Sequence, residues 1–154
     1  MLRVKILASA VPLVFAGMVA GGELLPSDQP CIALGAASLQ IAAAPWQGQL
    51  HVSFTDDPAA ATVRVQLVDD ANIADFAVID DVRTADDGTC RATAATTFVE
   101  IAERSTPADP VIYLTHESNA DYRVFVRSRS FTARDAAALV VSARRNARLA
   151  DHAT

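Results

Sequence analysis

Four pairs of adjacent aspartates punctuate the middle of the sequence: Asp56-Asp57, Asp69-Asp70, Asp80-Asp81 and Asp86-Asp87. Gathered at one end of a sheet, such carboxylates would suit Ca²⁺, which takes about 6–8 oxygen ligands. No Asp-x-Asp-x-Asp-Gly loop occurs, however, and adjacent side chains do not easily face one ion. The plainer role is to cap turns, where short polar side chains bond the local backbone. Cations are segregated the other way. From Tyr122 to the end there are seven arginines and two acids, whereas Leu50–Cys90 holds nine aspartates and two arginines. Arg123, Arg127 and Arg129 recur at period two, with Phe125 among them. On one strand face they would form an anion patch, aided by His51 or Arg64 from a neighbouring strand. The plainer alternatives are a solvated face, or pairing of the Arg-rich end with the Asp-rich end.

The three histidines, His51, His116 and His152, show no ligand spacing and no His-Glu-x-x-His. His116-Glu117-Ser118 would suit a hydrolase, yet no Gly-x-Ser-x-Gly elbow surrounds any serine. Its plain reading is a polar turn between strands. A spatial set of Ser53, His51 and Asp75 has no support in spacing. Trp46, the only tryptophan, is expected in the core or as a lid rather than as a ligand platform. No residue is assigned a catalytic role, and no cofactor is implied.

Residues 1–22 read as a secretory signal peptide. Arg3 and Lys5 form the charged start, Ile6–Ala20 the apolar stretch, and Val19-Ala20-Gly21-Gly22 the small-residue cleavage region. The apolar run falls short of the roughly 20 residues that span a bilayer. Cleavage removes the only lysine and leaves 11 arginines against 18 acids, a net charge of −7. That balance argues against nucleic acid as a partner and excludes lysine-amine chemistry. In an oxidising compartment the two cysteines, Cys31 and Cys90, are expected to pair; their separation matches no zinc spacing.

A chain of 154 residues suits one domain and can bury about two thirds of its unfolded surface. Its elements show a thirteen-residue rhythm. Leu50–Asp57 (LHVSFTDD) returns as Val63–Asp70 (VRVQLVDD), and Ala61-Thr62 aligns with Ala74-Asp75. A shift of 46 lays Ala74-Asp75 on Ala120-Asp121 and Phe76 on Tyr122. Alternation at Leu50/Val52/Phe54, Val63/Val65/Leu67, Phe76/Val78 and Tyr122/Val124/Val126 predicts half-buried strands. Further strands are expected near Thr96–Ala102 and Val111–Leu114. Thirteen residues are too few for a strand plus a crossover of a dozen residues, so successive strands are expected to be antiparallel neighbours. The predicted fold is α+β, an antiparallel β-meander of about five or six strands with a C-terminal helix on one face.

That Val-x-Val-x-x-Asp…Ala-Asp rhythm resembles a group of secreted bacterial proteins with tandem strand repeats and no assigned activity. The resemblance covers roughly residues 50–81 and 110–133. It implies an exported compartment and a strand-repeat fold, and no functional residue.

The helix is expected over 132–149, with a Thr132–Asp135 capping box after Phe131 and an apolar stripe at Ala136, Leu139, Val140, Ala143 and Ala147. Residues 82–93 read as a turn-rich loop. The expected organisation is a signal peptide at 1–22, an N-terminal arm or helix at 23–49 and the repeat domain at 50–154. The alanine content of 32–44 leans towards helix. Function is expected to be that of an exported, periplasmic, non-catalytic binding or assembly module. Its partner would be another envelope protein or a second copy through an edge strand. The alternative is a small periplasmic hydrolase or ion-binding protein using His116, Glu117 or the aspartate pairs.

Overall fold

In a computed structural model, the described residues are 31–34, 37–79, 93–104 and 106–151. The signal-peptide region, Asp80, Asp81, Asp86, Asp87, Cys90 and His152 lie outside them. The elements are β1 (Cys31–Leu34), β2 (Ala37–Ile41), β3 (Leu50–Phe54), β4 (Val63–Leu67), β5 (Phe76–Ile79), β6 (Thr96–Ile101), β7 (Val111–Thr115), β8 (Tyr122–Arg127) and α1 (Ala133–Asp151). Short 3₁₀ turns lie at Pro45–Gln47 and Ala71–Ile73.

The fold is α/β, and the antiparallel meander is overturned. Eight strands form one curled sheet, a half-barrel in the order β1-β2-β6-β3-β7-β4-β8-β5. Only β1 and β2 pair antiparallel; every other neighbour is parallel. The chain lays down β3, β4 and β5 with gaps, then fills the gaps with β7 and β8. Residues 32–44 contribute β1 and β2 rather than a helix, because Ile32, Leu39 and Ile41 pack into the core and tertiary burial overrides alanine's helix propensity.

Stagger explains how so short a repeat makes a parallel sheet. Phe54 and Val63 both stand level with Ile112, and Leu67 and Phe76 both stand level with Val124. A connection therefore starts and ends at one height. It crosses only two strand spacings, about 10 Å, well within the reach of eight residues. The requirement for a dozen residues assumes a return along the full strand. The same stagger tilts the strands and curls the sheet.

The rhythm also has a hydrogen-bonding content. Gln49, Thr62, Asp75 and Asp121 each stand immediately before a strand. Each donates its backbone N–H to a neighbouring carbonyl: Phe98 (2.9 Å), Val111 (2.9 Å), Arg123 (2.8 Å) and Arg64 (2.9 Å) respectively. The same neighbour's N–H donates back to the side-chain oxygen, at 3.0, 2.8, 2.8 and 2.8 Å. Each clamp adds a rung where the parallel ladder would otherwise leave a bare N–H. Gln49, Thr62 and Asp75 are thirteen residues apart.

The helix begins in a capping box. Asp135 N–H donates to Thr132 Oγ1 (3.1 Å) and Thr132 N–H to Asp135 Oδ2 (2.9 Å). Ala136 through Ser142 are buried without a break, because the curl brings seven strands around α1. Leu39, Val52, Val65, Val99, Ile112 and Val124 meet it from the sheet. A helix apolar all round belongs inside a core, so burial takes in Ala137, Ala138 and Val141 beside the expected stripe, whose last member Ala147 lies exposed.

Candidate functional site

With α1 on the inner face, alternation sends His51, Ser53, Arg64, Gln66, Glu100, Tyr113, Thr115, Arg123 and Arg127 to the outer one. Connections run over that face. Arg64 Nη2 donates to Pro58 O (3.2 Å), and Gln66 Nε2 donates to His116 O (3.2 Å).

The main polar constellation lies on β3 and β6. His51 pairs in register with Glu100, and its Nε2 lies 3.1 Å from Glu100 Oε2. Two residues along β3, Ser53 is buried and its Oγ has no hydrogen-bond partner among the described residues. Above Glu100 sits the Pro45–Gln47 turn, closed by Gln47 N–H to Ala44 O (3.0 Å) and Gly48 N–H to Pro45 O (3.2 Å). A Cβ on Gly48 would stand 2.6 Å from Glu100 Cβ, so only glycine lets the turn lie this close. The turn holds Trp46 at 85% exposure, neither in the core nor acting as a lid. Sequence reasoning had no signal for Glu100, because its pairing with His51 exists only once β6 lies beside β3.

The expected anion patch is divided. Arg123 bonds Asp75, Nη2 to Oδ1 at 2.8 Å and Nε to Oδ2 at 3.3 Å. The guanidinium bond, reinforced by the Arg123 N–H, holds the Asp75 carboxyl below its usual value, and the bond in turn raises Arg123. Arg127 ends β8 and is exposed; Arg129 lies beyond the strand in the turn before α1. Other arginines serve the fold. Arg134 covers Phe54 at 4.3 Å, Arg144 covers Phe76 at 4.9 Å and Arg148 bonds Tyr122 Oη at 3.1 Å. Arg145 reaches Asp109 at 3.7 Å. The Asp109 carboxyl is held below its usual value, chiefly by the Thr106 hydroxyl bonded to it.

The described aspartate pairs serve turns. Asp57 accepts from Ala59 N–H (2.8 Å), and Asp70 caps the 3₁₀ turn by accepting from Asn72 N–H (2.9 Å). Both pairs follow strands, but the stagger sets them roughly 16 Å apart. Among the described residues no three of the metal-ligating side chains His, Cys, Asp and Glu gather. His116 and Glu117 lie exposed on the β7–β8 connection, about 20 Å along the strand direction from His51. Asp75 is four strands from Ser53 and His51 and is engaged by Arg123, so that triad does not form. No described cysteine is a free thiol.

Comparison with family models finds no match, nor does comparison with curated proteins or with solved structures.

Proposed function

We propose that the protein is exported to the periplasm, where its signal peptide is removed, and works there as a non-catalytic binding or assembly module closed by a Cys31–Cys90 bridge. The observation carrying this reading is the division of its polar residues. Asp57, Asp70, Asp75, Asp121 and Thr62 serve turns and ladder rungs. His51 pairs with Glu100, but His116 and Glu117 stand at a different height of the sheet and Asp75 is engaged by Arg123, so the groups the sequence offered for acid–base catalysis do not gather in one place. Contact surface is present instead. β5 ends the sheet, and Ile79 on it and Ile73 before it are each about half exposed. A sheet edge offers main-chain groups to another strand.

Intact mass of the protein expressed in a Gram-negative host tests compartment and bridge together. A chain starting near residue 21–23, with a mass unchanged by denaturing alkylation, is expected. An unprocessed chain with two alkylated cysteines overturns the export reading. For assembly, sedimentation of the mature protein should show concentration-dependent association that Ile79→Lys abolishes, since a charge on an edge strand opposes pairing. Association unaffected by Ile79→Lys removes β5 as the contact.

A further inference from the structure

We propose that the Trp46 turn is a carbohydrate-binding site, its indole stacking on the flat face of a β-linked pyranose. This deepens the binding-module reading and rests on it. Three observations carry it.

The first is the mounting. Trp46 is 85% exposed, yet its backbone is fixed. Pro45 sets one dihedral, two backbone hydrogen bonds close the turn, and Gly48 seats the turn against Glu100. Gln49 then locks the exit of the turn to Phe98 through two hydrogen bonds. A large aromatic carried in water on a fixed turn has its backbone already ordered for stacking, which lowers the cost of binding.

The second is isolation from other apolar surface. Among the described residues the other large exposed hydrophobics are Ile73, Ile79 and Leu149. Ile73 lies just before β5 and Ile79 on it, at the opposite end of the sheet from β2 and β6, and Leu149 lies near the end of α1. A protein partner wants an aromatic anchor within a desolvated apolar patch, which Trp46 lacks among the described residues.

The third is what surrounds the turn instead. Glu100, paired with His51, and the exposed Gln47 and Gln49 supply acceptors and donors. The Glu100 carboxylate and the net charge of the mature chain disfavour anionic ligands. A pyranose with equatorial hydroxyls offers the matching chemistry: axial C–H groups for the indole, and a rim of neutral hydroxyls for the carboxylate and amides.

Because Trp46 is the only tryptophan, emission of the mature protein reports on this site alone. The probe is a soluble β-1,4-linked N-acetylglucosamine tetramer, with the corresponding insoluble polymer for co-sedimentation. The free protein should emit as a water-exposed indole, and the tetramer should shift that emission to the blue saturably. Trp46→Ala should retain its thermal midpoint and bind the polymer at least about tenfold more weakly, a loss of roughly 1.4 kcal/mol. Glu100→Gln should weaken binding without changing the emission of the free protein. Blue-shifted emission before any ligand is added, the absence of a saturable shift, or polymer binding unchanged by Trp46→Ala each overturns the proposal. The last of these leaves the binding-module reading standing. The mass and sedimentation experiments decide that reading independently.

Discussion

The described aspartates are mostly structural fittings, and the clamps show why the aspartate of the Ala-Asp repeat is there. Asp121 supplies one side-chain acceptor to the Arg64 N–H and one backbone donor to its carbonyl. A hydrogen bond of this kind contributes about 0.5–1.5 kcal/mol net. Asp121→Ala should therefore lower the urea-derived stability by about 1 kcal/mol, and Thr62→Ala should do the same at the neighbouring rung. Asp75 adds a pH dependence, because its partner Arg123 holds its carboxyl below the usual value of 3.8. A depressed folded-state value means that the stabilisation is complete above the unfolded value and lost as pH falls below it. Stability measured against pH should decline on that acid limb, and Asp75→Asn should flatten the decline. The aspartate repeat was legible in the sequence. Its partners were not, because Arg64 and Asp121 are brought together by a strand order that no local spacing encodes.

Elements were more legible than their arrangement. Alternation located β3, β4, β5 and β8, since period two depends only on having one buried face. The same period serves parallel and antiparallel strands alike, so it carried no information on which strand pairs with which. The helix offered a stronger clue than its five-residue stripe: Ala136–Ser142 is an uncharged run, and the curl of the sheet buries all of it. Small residues there let the strands close around α1. Ala137→Leu should thus overpack the interior and lower stability by about 1–3 kcal/mol, read from the denaturant midpoint. The equivalent change at the exposed Ala147 should alter it little. Trp46 shows the opposite limit of sequence reasoning: a lone aromatic suggests burial by type, whereas a 3₁₀ turn at the sheet margin holds it in water.

For the whole molecule, the proposed Cys31–Cys90 bridge ties the outermost hairpin of the sheet to the segment between β5 and β6. It would close a loop of about 60 residues and contribute about 3–4 kcal/mol through the unfolded chain. Reduction of the exported protein should lower its urea midpoint accordingly, and Cys31→Ser should match the reduced protein. An equal midpoint before and after reduction would remove the bridge from the account. The sequence by itself determined the positions of the strands from β3 to β8, the helix with its cap, the thirteen-residue rhythm and the segregation of charge, because each depends on residues close together along the chain. Only the tertiary structure decided that β7 enters between β3 and β4, that the sheet is parallel and curled around α1, and that His51 meets Glu100 beneath an exposed Trp46. Those outcomes depend on stagger, which lets an eight-residue connection cross at one height, and on contacts between segments some 50 residues apart.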